Sequence, residues 1–202
     1  MYGNEIIRHL LTEEGYEHAP YQDSLGFWTI GIGHKLGSDP PRWKTRLSDE
    51  KIRQLFFADL KFAEMGYDRL FGHLDIDDAR KVALVSMIFQ MGDGPKGVGG
   101  FDDTLAAIER GDWMSASCAA LDSEWARRQT PNRAKRVSLI LRTGIVVEEG
   151  GNYENQGFGL SVCGRLPARR RERLHGDSLS RSREEHRLFV HKRLSRENLA
   201  EK

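Results

Sequence analysis

The first apolar positions of the chain, Ile6, Ile7, Leu10 and Leu11, recur at the spacing of a helix that buries one face. Gly15 closes this run, and a glycine just past the last turn can take the left-handed conformation that ends a helix. The period then changes. The β-forming residues Phe27, Trp28, Thr29 and Ile30 follow a turn signal at Ser24-Leu25-Gly26, which predicts a small glycine-rich hairpin between Tyr21 and Ile32. Asp39-Pro40-Pro41 breaks the chain. Helical spacing returns at Ile52, Leu55, Phe56, Leu60 and Ala63, with Ser48 as the expected N-cap. From Asp77 to Met91 apolar residues fall on more than one face, as in a helix surrounded by protein, and Gly92 ends it. Further helices are expected at about 102–109, 112–127 and 131–142. The last begins with Thr130 as N-cap and Pro131 in the first helical position.

Strands followed by a run of helices predict an α+β fold. Here a small hairpin-containing lobe, about 1–47, precedes a larger all-helical lobe, about 48–150. Beyond Gly150 the pattern dissolves. Arg169-Arg170-Arg171 and the segment Ser178–Arg183 sustain no period, so 151–202 is expected to be a basic tail, disordered or marginally helical.

Composition supports a folded body. Of 202 residues, 39% are hydrophobic and 30% charged, enough apolar material for a sizeable core. The net charge of +1 is unevenly spread: residues 151–202 carry 12 basic and 7 acidic side chains, and 1–150 are mildly acidic. The tail's charge suits contact with anionic membrane or wall polymer. No DNA-binding motif accompanies it, so nucleic acid is not an expected partner. Cys118 and Cys163 are too few for a disulfide framework, and Cys118 reads as a small core residue. Neither has metal-ligand spacing around it, so no metal and no cofactor is expected. The start, MYGNEIIRHLLTEEG, lacks an uninterrupted apolar stretch and a cleavage site. No signal peptide or transmembrane segment is expected, which leaves the protein in the cytoplasm.

The densest chemistry lies in EEGYEHAPYQDSLGFWTIGIGH, Glu13 to His34. Glu14 ends the first predicted helix, where the backbone's partial negative charge disfavours ionisation of a carboxyl. A carboxyl kept protonated can donate to a leaving oxygen. Asp23 lies on a loop where solvent and backbone donors favour its ionised form. Carboxyls pushed in opposite directions are what cleavage of a glycosidic bond requires. Thr29, on the returning strand, could hold a water against Asp23. Glutamate and aspartate are also ordinary at helix ends and turns, so a purely structural reading of the same residues stands beside this one. His34 reads as a structural histidine with Asp59 as its partner.

The segment Glu14-Gly15, Tyr21, Asp23, Gly26 and Thr29–His34 resembles the N-terminal lobe of phage T4-type lysozymes. MIFQMG (Met87–Gly92), GVGGF (Gly97–Phe101), QTPNRAKR (Gln129–Arg136) and RTG (Arg142–Gly144) resemble that family's helical-lobe motifs, in the same order. The resemblance covers about residues 1–145. It implies two lobes flanking a substrate cleft, joined by a long helix starting near Ser48. It also implies inverting hydrolysis of the β-1,4 bond between N-acetylmuramic acid and N-acetylglucosamine in peptidoglycan. Glu14 matches the general acid, Asp23 the carboxylate that activates or positions water, and Thr29 the threonine that holds it. Phe89 would line the cleft and Thr104 would face it from the following helix. Lys35 falls at a cleft position where the family often has an apolar residue, and Ala119 where it has a polar one. The motif places Arg133 at the cleft base, where it could pair with Glu14. The family expectation is a monomeric endolysin that waits in the host cytoplasm and reaches the periplasm and cell wall through a holin. Two other functions compete. A lytic transglycosylase needs no water-directing carboxylate, and a non-enzymatic wall-binding or virion protein could dispense with both Glu14 and Asp23.

Overall fold

A computed structural model describes residues 2–23, 26–41 and 46–146. The expected tail and the turn residues Ser24 and Leu25 lie outside these described residues. Helix α1 runs Tyr2–Glu14 and stops at Gly15, whose φ of +72° is left-handed. Ile6 and Leu10 are fully buried, whereas Leu11 is exposed at the end of the apolar stripe.

Three strands follow, β1 (Glu17–Gln22), β2 (Trp28–Gly31) and β3 (His34–Gly37), antiparallel in that order. The sheet is larger than the expected hairpin. Its first strand starts at Glu17, in a stretch containing Pro20 that shows no β-forming alternation. Its third strand is four residues long and ends in Gly37, too short to register as a period. In register, Thr29 pairs with Tyr21 on one side and Lys35 on the other, so three polar side chains lie across one row of the sheet.

Helix α2 (Asp49–Phe71) starts where Ser48 predicts, its hydroxyl accepting from the Lys51 N–H at 3.3 Å. Its buried stripe includes Ile52, Leu55, Phe56, Leu60 and Ala63. Phe57, next to the buried Phe56, is half exposed because it falls one position off that stripe. Helix α3 (Asp78–Met91) is capped by Asp77, and every residue from Val82 to Phe89 is buried. It packs against α1, α2 and the last helix, which accounts for its all-round apolar character.

After a short 3-10 turn (Val98–Gly100) come α4 (Asp102–Glu109), α5 (Trp113–Leu121) and α6 (Pro131–Thr143). The helix expected over 112–127 is divided. Helix α5 ends as the Asp122 N–H bonds back to the carbonyls of Cys118 and Ala119. Ser123 then restarts the chain by accepting from the Ala126 N–H at 3.1 Å, leading into a wide π-helical turn over Trp125–Gln129. The Ser123 hydroxyl, bonded to the Ala120 carbonyl and the Ala126 N–H, outweighs the helical period there. The break lets the Trp125 indole reach Gln90 Oε1 at 3.0 Å. Thr130 precedes α6, with Pro131 at the first helical position, but its hydroxyl does not cap; it accepts from Gln90 Nε2 at 3.1 Å. Cys118 is buried on α5. No described helix is long and apolar enough to cross a membrane.

Candidate active site

The end of α1, the sheet, the end of α3 and the start of α6 converge on a cleft of about 570 Å³. Glu14, Asp23, Thr29, Lys35, Phe89 and Arg133 all line it. Thr104 does not. It is 3% exposed and lies on the face of α4 that also buries Ala107 and Ile108, so the core claims it. Ala119 is likewise buried and outside the lining.

Glu14 is the last residue of α1 and comes to rest against the β2–β3 turn. A Cβ on Gly33 would lie 2.5 Å from Glu14 Oε2, and Gly33 has a φ of +67°. Both facts demand glycine at this position. From the opposite side Arg133 Nη1 donates to Glu14 Oε1 at 2.6 Å, a charge-assisted contact across 119 residues of sequence. Asp23 is held differently. Its Oδ1 accepts from the Phe27 N–H at 2.8 Å, and backbone bonds Asp23 N–H to Phe27 O and Gly26 N–H to Asp23 O, each 2.9 Å, close the same turn. Thr29 is buried, and its hydroxyl donates to Phe27 O at 3.3 Å. The Lys35 ammonium sits 2.9 Å from the centroid of the Phe27 ring, a cation–π contact.

His34 and Asp59 meet at 2.6 Å and tie β3 to α2 without lining the cleft. Among the described residues no three His, Cys, Asp or Glu side chains converge as metal ligands would.

Several residues at this site carried no assignment in the sequence. Tyr21 lines the cleft, and burial, with the negative charges of Glu14, Asp23 and Glu17, pushes its hydroxyl above the ordinary range. Beside Glu14 lies a largely buried polar group of His9, Glu13, Ser86, Arg133 and Arg136, of which Glu13, Arg133 and Arg136 also line the cleft. Arg136 clasps Glu13 with two bonds of 2.7 Å. Burial alone would raise the Glu13 carboxyl, but the Arg136 bonds and the charges of Arg133 and Arg136 outweigh it and hold the group below its usual range. Burial pushes His9 down to about 4, with both arginines adding to the effect and Glu13 opposing it. One signal pointed here: Arg133 and Arg136 are three apart and therefore share a helix face. Their acidic partners lie too far away in sequence for any local rule to find.

The site thus has one carboxylate fixed by a guanidinium, another fixed in a turn, and a threonine hydroxyl beside them in an open groove. That set can deliver a proton and orient a water.

The phage lysozyme family model matches residues 12–142. The chain is 32% identical to the pre-baseplate central spike protein Gp5 of Enterobacteria phage T4, over 78% of its own length but 30% of that protein's. It is 31% identical to probable T4-type lysozyme 1 of Dictyostelium discoideum, over 66% of its own length and 91% of the relative's. The peptidoglycan hydrolase gp36 of Pseudomonas phage phiKMV is 31% identical over 63% of the chain and 14% of that protein.

Proposed function

The chain belongs to the phage lysozyme family, and from that premise we propose that it is a glycosidase that cuts bacterial peptidoglycan between N-acetylmuramic acid and N-acetylglucosamine. The observation that carries this reading is the opening of Glu14 and Asp23 onto one cleft, with Arg133 on the first and Thr29 beside the second. Glu14 acts as general acid and protonates the leaving glycosidic oxygen. Asp23, with Thr29, directs a water to the opposite face of the sugar, which inverts the anomeric centre. A lytic transglycosylase would leave Asp23 and Thr29 without a task. In this reading the sheet and the helical body act as two lobes around the glycan, residues 1–150 form the catalytic domain, and 151–202 are an appendage to it.

The deployment we propose is that of an endolysin, monomeric, held in the host cytoplasm and released to the wall through a holin. Similarity to a phage spike protein favours a second deployment, the same chemistry carried on a virion. Probing purified virions for this chain distinguishes the two.

Hydrolysis is tested on purified murein, with NMR of the earliest products. The expected first product is the α-anomer with a free N-acetylmuramic acid reducing end. The β-anomer overturns the inverting step, and an anhydro-sugar end overturns hydrolysis altogether. A chain ending at Gly150, run in parallel, is expected to fold and to match the full chain. Failure to fold would move the domain boundary into the tail.

A further inference from the structure

Arg133 holds Glu14 through one Nη atom only, so something else must fix the orientation of its guanidinium. The side chain is 5% exposed, and its Nε, buried, makes no hydrogen bond among the described residues. Glu13 Oε2 is 4.0 Å from that nitrogen, too far for a bond. Among the described residues its remaining hydrogen bonds are at Nη2, which donates at 3.0 Å to both the carbonyl and the hydroxyl of Ser86. The Ser86 hydroxyl in turn lies 3.2 Å from His9 Nε2. A continuous chain therefore runs from α1 through α3 to α6 and back to the end of α1: His9, Ser86, Arg133, Glu14.

We propose that His9 and Ser86 are a positioning pair for the candidate acid, setting the guanidinium of Arg133 and through it the Glu14 carboxyl. The inference rests on Glu14 being the general acid, and it adds two residues that touch neither substrate nor cleft. A guanidinium only donates, so the Ser86 oxygen accepts from it. In the tautomer proposed here, the single hydroxyl proton points to His9 Nε2, which accepts as the bare nitrogen of a neutral imidazole. The surroundings keep the ring neutral: it is 6% exposed, and besides Glu13 on its own helix the charged groups facing it are Arg133 and Arg136 from α6, while α3 contributes Ser86. With His9 accepting, the Ser86 hydroxyl cannot rotate toward another acceptor, and its lone pair stays on Arg133. With that lone pair lost, Nη2 keeps only the Ser86 carbonyl, and the guanidinium is free to pivot away from Glu14.

A merely structural pair would change melting temperature and leave the pH profile alone. A positioning pair moves the basic limb of kcat/KM, which reports loss of the proton on the essential acid. His9→Met and Ser86→Ala are therefore compared with the parent on soluble murein fragments, singly and together, along with His9→Gln. The glutamine amide oxygen can replace Nε2 as acceptor. The expected result is an upward move of the basic limb in both single variants, a fall in kcat of about tenfold with KM little changed, and no further loss in the double variant, as for neighbours in one network. His9→Gln should recover most of the parent profile. If His9→Met does not fold, Ser86→Ala and His9→Gln carry the same comparison. Folded variants whose basic limb stays with the parent overturn the proposal, as does full additivity. Glu14→Gln is run beside them. If it stays active, the assignment of the acid has failed. If it is inactive while the His9 and Ser86 profiles are unmoved, only the positioning pair has failed.

Discussion

The two carboxylates of the cleft are held in opposite ways. Among the described residues, Asp23 is tied to its own neighbourhood: three hydrogen bonds to Gly26 and Phe27 close the turn that presents it. Glu14 is organised by the whole fold. It is gripped by Arg133 from 119 residues away in sequence, and a glycine of the sheet makes room for it. Beside it stands a largely buried cluster that joins α1, α3 and α6. Position is thus cheap to specify at Asp23 and costly at Glu14. Chemistry and stability separate at the first and are coupled at the second.

The sharpest test of that contrast removes the proton and nothing else. Glu14→Gln keeps an oxygen for Arg133 but cannot protonate a leaving group. Turnover of murein should fall by about 10²–10⁴-fold, the usual worth of general acid assistance, with the circular dichroism spectrum unchanged. Near-parental turnover would show that the tightly organised carboxyl is not the acid.

The next largest effect is on stability. Arg136→Ala leaves the Glu13 carboxylate buried at 3% side-chain exposure without its bidentate partner. Breaking such a pair typically costs about 3–5 kcal/mol, partly relieved here because Arg136 is itself 21% exposed. Urea unfolding should read this loss, and a change below about 1 kcal/mol would mean that the cluster does not anchor the end of α1.

Acid should weaken the same cluster. His9 titrates at about 4 in the folded protein and at 6.5 ordinarily, so the unfolded chain binds more protons between those values. Stability therefore falls as pH drops from about 6.5 to 4, by roughly 3 kcal/mol at most. Glu13, held low when folded, adds a further loss as pH falls below the ordinary 4.5 toward its folded value. His9→Met should flatten the first part of this decline. Urea midpoints at pH 7 and pH 4.5 measure it, and an equal decline in the variant would assign the loss to other groups.

What could be read from the sequence follows the same division. Locally encoded features were legible: Gly15 at the end of α1, the Ser48 cap, the buried length of α3 and the turn before β2. The motif that put Arg133 near Glu14 was informative only through resemblance, because no period or cap links residues 119 apart. Where local signals competed, tertiary contacts decided. The Ser123 cap and the Trp125 bond to Gln90 divided an expected helix, and the core took Thr104 away from the cleft. His9 and Ser86 gave no signal, since a polar residue on an apolar helix face shows its purpose only once its neighbours are in place.

The smallest expected effect completes the comparison, and it concerns the stability of Asp23 variants. Asp23→Asn keeps the Oδ1 acceptor for the Phe27 N–H, so the turn should persist and stability should change by less than about 0.5 kcal/mol, as at ordinary surface positions. Asp23→Ala removes that acceptor from a part-buried N–H, and the expected cost is about 1 kcal/mol, the net worth of one such bond. Both variants lose the negative charge and should lose murein hydrolysis alike. Equal inactivity with unequal, small stability losses is the signature of a carboxylate held by its own turn. If Asp23→Asn instead unfolded the protein as readily as Arg136→Ala, Asp23 would have to be tied to the rest of the fold by its charge, and the division between a locally held and a globally held carboxylate would be lost.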